Sequence, residues 1–62
     1  MIAPIRALRI EAVVRKVGLS KSTIFRKIKA EQFPSPAKLS ERVTAWNETE
    51  IDEWLAKHFS KA

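Results

Sequence analysis

The chain contains a single glycine, Gly18, and it stands between two apolar stripes of helical spacing. Ile10, Val13, Val14 and Val17 fall at i, i+3, i+4 and i+7, one face of a helix, while Glu11, Arg15 and Lys16 face away. Beyond the glycine, Ile24, Phe25 and Ile28 form the buried stripe of a second helix, whose outer face carries Lys21, Ser22, Thr23, Arg26, Lys27 and Lys29. A glycine directly after a helix accepts the left-handed backbone that ends it. Ser20 then caps the second helix by accepting a hydrogen bond from a free backbone N–H, and Leu19 plugs the corner. So short a turn makes the helices cross steeply and leaves the start of the second one projecting, the arrangement of a helix-turn-helix.

The second half of the chain predicts a wing and a closing helix. In Phe33-Pro34-Ser35-Pro36 two prolines end the helical region and run extended, as a connector. Lys38-Leu39 and Val43-Thr44-Ala45-Trp46 pair as antiparallel strands around the turn Ser40-Glu41-Arg42, a two-stranded wing over 38–46 that also lids the core through Leu39, Val43 and Trp46. Neither Gly nor Asn-Gly marks the tip, so the register stays open by a residue or two. Asn47 with Glu50 is a variant of the capping box, and Glu48, Glu50, Asp52 and Glu53 sit where a helix dipole favours negative charge, so the third helix begins there. Its stripe is Ile51, Trp54, Leu55, His58 and Phe59, and the last three residues are expected to fray. The predicted fold is mainly α with a small β-hairpin: a winged helix-turn-helix of three helices plus a two-stranded wing, one domain over 1–62.

Composition bounds what such a domain does. At 62 residues without cysteine it folds on its apolar core alone, with neither disulfides nor thiolate chemistry. The apolar runs fall far short of a membrane span, and Met1 to Ile10, interrupted by Arg6 and Arg9, lacks the form of a signal peptide, so the cytoplasm is the expected compartment, on the nucleoid when DNA is bound. Residues 1–42 carry ten Lys or Arg against three Glu, whereas residues 43–62 carry two Lys against four acids. A basic face opposed by an acidic end suits a polyanion, because neutralising phosphates releases condensed counterions.

The second helix, Ser20 to Lys29, is sized to enter a major groove. Backbone N–H groups at its start, next to Ser20, and the Lys21 ammonium hold a phosphate. Ser22 and Thr23 reach base edges, the Thr23 methyl touches a thymine methyl, and Arg26 reaches guanine or a phosphate. Lys27 and Lys29 lie along flanking phosphates, and Lys38 and Arg42 supply the wing's backbone contact. A solvated helix face would carry similar residues; the basic hairpin directly after a basic helix favours double-stranded DNA as the partner. A domain of this size buries ~600–1,000 Å² on DNA, so further copies of the chain on repeated half-sites are expected.

The residues that carry this reading also resemble a family. Gly18-Leu19-Ser20-Lys21-Ser22-Thr23-Ile24-Phe25-Arg26, the Phe33-Pro34-Ser35-Pro36 connector with Lys38-Leu39, Val43-Thr44-Ala45-Trp46, and Glu50-Ile51-Asp52-Glu53-Trp54-Leu55 are together similar to the AlpA-type regulators of prophages, small winged helix-turn-helix proteins related to the MerR and excisionase groups. The resemblance spans Leu8 to Trp54. It implies a DNA-binding regulator encoded by a prophage or other mobile element, acting as a transcription factor, as an excisionase-type directionality factor that directs an integrase, or as both. Carried over by residue, it points to Lys21, Ser22, Thr23 and Arg26 in the recognition helix and Arg42 near the wing tip. Family members often have Gly or Asn near that tip, where this chain reads Leu39-Ser40-Glu41-Arg42, and Glu41 would repel phosphate if it pointed at DNA.

Other chemistry finds little support. His58 is the only histidine and sits near a helix C-terminus, a structural position. With no cysteine and no second histidine, neither a metal site nor a cofactor is expected. The serines lack a base to activate them, and the acids of the third helix serve its initiation, so the chain is not expected to be an enzyme. Trp46 and Trp54 are assigned to the core rather than to base stacking.

Overall fold

The computed structural model describes residues 4–60. Its elements are β1 (Ala7–Leu8), α1 (Ile10–Val17), α2 (Lys21–Lys29), β2 (Ala37–Ser40), β3 (Val43–Asn47) and α3 (Glu48–Phe59). Three helices and a small antiparallel sheet make a winged helix-turn-helix. Lys61 and Ala62, expected to fray, lie outside the described residues.

The turn between the first helices is built as the residues require. Gly18 has φ 74° and its N–H reaches the Val14 carbonyl at 2.9 Å, so the left-handed residue closes α1. The Thr23 N–H bonds Ser20 Oγ at 3.2 Å, and that hydroxyl donates on to Thr23 Oγ1 at 2.9 Å, so both side chains are held in the cap of α2. α2 ends in a Schellman closure: the Gln32 N–H bonds the Lys27 carbonyl at 2.7 Å and the Glu31 N–H bonds that of Ile28 at 3.0 Å. The left-handed position is filled by Glu31, at φ 59°, and not by glycine.

The connector has no ladder of its own and is pinned by two indoles. Trp46 Nε1 donates to the Pro34 carbonyl at 3.0 Å and Trp54 Nε1 to that of Gln32 at 2.9 Å. Between these anchors Phe33 is buried, edge-on to Trp54 with centroids 4.7 Å apart. The core joins Leu8, Val13, Ile24, Phe33, Trp46 and Ile51, with Ile10, Val14, Val17, Leu19, Ile28, Trp54 and Leu55 packed around them.

The sheet differs from the expected wing by one strand. β1 pairs with β3, Ala7 opposite Asn47 and Leu8 opposite Trp46, giving the order β1-β3-β2. The added strand also serves α3, because the Arg6 carbonyl accepts the Glu48 N–H at 2.9 Å. In the hairpin Ala37 faces Ala45, Lys38 faces Thr44 and Ser40 faces Val43, which settles the register and leaves only Glu41 and Arg42 as the turn. Leu39 is the extra residue of a bulge in β2, and neither tip residue has positive φ. The bulge supplies the bend that a glycine tip would otherwise provide.

Three apolar residues assigned to the core lie outside it. Leu39 is 59% exposed because the bulge turns it off the inner face, so the lid is made by Trp46 and Ala45 with the half-buried Val43. Phe59 is 80% exposed: residues 56–59, the last turn of α3, project past the core, and His58 stacks on Trp54 there instead of entering it. Phe25 is 47% exposed, since only Ile24 and Ile28 fall within the stripe that α2 turns inward. The cap of α3 is Asn47 Oδ1 on the Thr49 N–H at 2.9 Å, without the Glu50 half of a capping box.

Lys16 ties α1 to α3. Its Nζ lies 2.9 Å from Glu48 Oε2 and 2.7 Å from Asp52 Oδ1, and hydrogen bonding to Asp52 and then Glu48 raises its pKa above the ordinary 10.5.

Candidate nucleic-acid interface

Turning about 100° per residue, α2 sets Ser22 and Arg26 roughly opposite the buried Ile24, with Lys29 beside them. Lys21, Ser22, Arg26 and Lys29 are exposed, so the middle of the outward face is basic with one short hydroxyl. Thr23 and Lys27 lie on one flank, half-buried, and line a surface depression with Arg26, Ala30 and Gln32. Phe25 lies on the other flank, against Trp46 of β3 with ring centroids 6.2 Å apart, so this side of the helix leads onto the sheet.

The expected base readers are therefore not equivalent. Ser22 and Arg26 stand at the crest of the helix with their side chains free of the cap. Ser20 is committed to the N-cap, and Thr23 accepts the Ser20 hydroxyl hydrogen, which fixes its rotamer and leaves its own hydroxyl hydrogen to donate. On the wing, Lys38 and Arg42 are exposed, the first opposite Thr44 and the second at the turn beside the exposed Glu41.

The charge on these residues is not neutralised within the fold, nor is that of Arg6, Arg9, Arg15 and Lys57. Among the described residues the ion pairs involve Lys16 alone, so Lys21, Arg26, Lys27, Lys29, Lys38 and Arg42 carry charge with no carboxylate bound to it. Glu48 and Asp52 are spent on Lys16, while Glu31, Glu50 and Glu53 line a separate groove with Phe33, Pro34, Trp54 and Lys57. An α-helix with uncompensated cations along its crest is a surface that phosphate would neutralise. No helix among the described residues is long and apolar enough to cross a membrane.

Comparison with known proteins places the chain in a family. The sequence pattern of the family described as Prophage CP4-57 regulatory protein (AlpA) matches residues 6–59. The chain belongs to the AlpA family. Those residues run from the strand-forming segment before α1 to the last residue of α3, so the family pattern takes in the sheet as well as the helix-turn-helix. The chain is similar to the DNA-binding transcriptional activator AlpA of Escherichia coli (strain K12), 34% identical over 59 residues covering 86% of this chain and 84% of the relative. It is also similar to an uncharacterized protein, ORF88, of Enterobacteria phage P4, 37% identical over 51 residues. That match covers 82% of this chain and spans 58% of the phage protein's length. No solved structure matches. The AlpA pattern thus agrees with the resemblance read from the turn, the connector and the tryptophan-bearing segments.

Proposed function

We propose that this AlpA-family chain is a sequence-specific duplex-DNA-binding transcriptional regulator of a prophage or mobile element, working in the cytoplasm on the nucleoid. The recognition helix, 20–29, enters the major groove and the wing, 38–46, follows the backbone. The observation that carries this is the set of unpaired cations along α2 and the wing, Lys21, Arg26, Lys27, Lys29, Lys38 and Arg42. The name of the Escherichia coli relative supports the same reading. Arg26 and Ser22 read base edges from the crest, Thr23 reaches them from the flank, and the free backbone N–H groups of the turn that Ser20 caps, with the Lys21 ammonium, hold a phosphate at the helix start. Lys27, Lys29, Lys38 and Arg42 contribute affinity and salt dependence. The role is binding, without catalysis, metal or cofactor, and further copies on repeated half-sites supply the affinity that one small module lacks.

Selection of bound duplexes from a random-sequence pool, at low and at moderate salt, tests this. An enriched motif that is lost with Arg26→Ala is the expected result. Retention of duplexes without any motif, vanishing as salt rises, would contradict sequence-specific recognition.

A second reading has its own observation. The groove lined by Glu31, Glu50 and Glu53 beside Trp54, with Lys57 as its one cation, lies outside the α2 and wing surface and on balance suits a basic segment of an integrase, as an excisionase-type directionality factor would need. Glu53→Lys is the clean probe, because Asp52 is engaged by Lys16. On this reading that variant loses integrase binding and keeps DNA binding; unchanged integrase binding would remove it.

A further inference from the structure

Phe25 is an apolar residue on the wing-side flank of a helix whose exposed residues are otherwise polar or basic. Its nearest exposed neighbours along the helix are Lys21, Ser22 and Lys29, at four before, three before and four after, while the half-buried Ile28 lies three after on the inner side. The ring is 47% exposed but not loose. It rests on Trp46 at 6.2 Å and 56°, and Trp46 is itself 2% exposed and fixed by its hydrogen bond to the Pro34 carbonyl. The core therefore holds one face of Phe25 while the other stands at the edge of the surface that Lys21, Ser22 and Lys29 define.

We propose that Phe25 is a specificity-determining residue that packs against the 5-methyl group of a thymine in the major groove. The proposal rests on the reading that α2 enters that groove. DNA received by Lys21, Ser22 and Lys29 meets the Phe25 ring as well. A ring pressed on phosphate or on a hydrogen-bonding base edge would strip those groups of water without replacing their bonds. The thymine methyl is the apolar group the major groove presents, and contact with it shields both from water. Thr23 also carries a methyl, yet it lies on the opposite flank with its hydroxyl tied to Ser20, so the two residues would touch different base pairs.

The test is a uracil scan of the duplex selected by the wild-type chain, replacing each thymine singly, with affinities measured for the wild type and for Phe25→Ala, Phe25→Leu and Thr23→Ser. Wild type is expected to lose roughly three- to five-fold in affinity at one thymine within the α2 footprint, the size set by one buried methyl group. That step is expected to vanish in Phe25→Ala and to persist in Thr23→Ser. The wild-type scan needs no variant to fold, and Phe25→Leu, which keeps an apolar contact on Trp46, covers the case in which the alanine variant is unstable. A flat scan with tight wild-type binding would overturn the role of Phe25 and leave the DNA-binding reading standing, as would a step that survives in both Phe25 variants or disappears in Thr23→Ser. Failure of the wild type to select any motif would overturn the reading of α2 and this inference with it.

Discussion

Among the described residues, Gly18 and Glu31 adopt the left-handed backbone, and they meet opposite demands. Gly18 does so without strain, and a Cβ placed there would meet no atom within 4 Å, so Gly18→Ala costs only the conformational penalty, about 1–2 kcal/mol. Glu31 already bears that penalty at φ 59°. Glu31→Gly is therefore expected to stabilise the domain by about 1 kcal/mol, reduced by the extra freedom of the unfolded chain, and to raise the thermal midpoint by a few degrees. Calorimetry of the two variants should give shifts of opposite sign; a fall in both would contradict the Schellman closure of α2. The tryptophans carry a second residue-scale prediction. Trp46→Ala should lower stability by ~3–5 kcal/mol, most of what so small a domain has. Trp46→Phe keeps one aromatic ring but leaves a small cavity and frees the Pro34 carbonyl, so it should cost about 2 kcal/mol. Denaturant unfolding separates the two. Equal losses would mean that the indole hydrogen bond, not the buried ring, holds the connector.

At the scale of elements, the helices were legible because their ends are written in local chemistry. Ile10–Val17 stops at its glycine, the next helix starts from Ser20, and α3 starts from Asn47, each where the sequence predicts. β1 was not legible: two residues show no alternation, and what makes Ala7–Leu8 a strand is the open edge of β3, a tertiary fact. The same holds for the bulge at Leu39, which no turn residue announces. Phe59 lies outside the core because helical spacing marks the side an apolar residue takes, not how far the opposing layer extends to cover it, and Phe25 because the inward stripe of α2 is narrower than its three apolar residues suggest. Spacing was equally silent on Lys16, whose partners lie more than thirty residues away across α1 and α3. Its raised pKa sets a sign: the pair stabilises the fold fully below the ordinary lysine range, and the effect fades as pH climbs through the raised value. Thermal midpoints of the wild type and Lys16→Met should differ slightly at neutral pH, as expected for an exposed pair, and converge at alkaline pH. A gap that widens with pH would contradict the assignment.

Over the whole molecule, the sequence divides its charge and the fold keeps the division. The acids of the second half are drawn to Lys16 and to the groove beside Trp54, and the cations of α2 and the wing stay unpaired. That separation was legible in the composition; which cations face outward together was not, since Thr23 and Lys27 turn out to lie on a half-buried flank and Ser20 is held in a cap. The net charge of +5 therefore understates the basic surface offered to a partner. Recognition of DNA through α2 and the wing is tested most directly by a backbone amide NMR titration of the chain with the duplex it selects. The largest shifts are expected to gather in residues 20–29 and around 38–42, with α3 little changed. Shifts concentrated on α3, with α2 silent, would contradict recognition through α2.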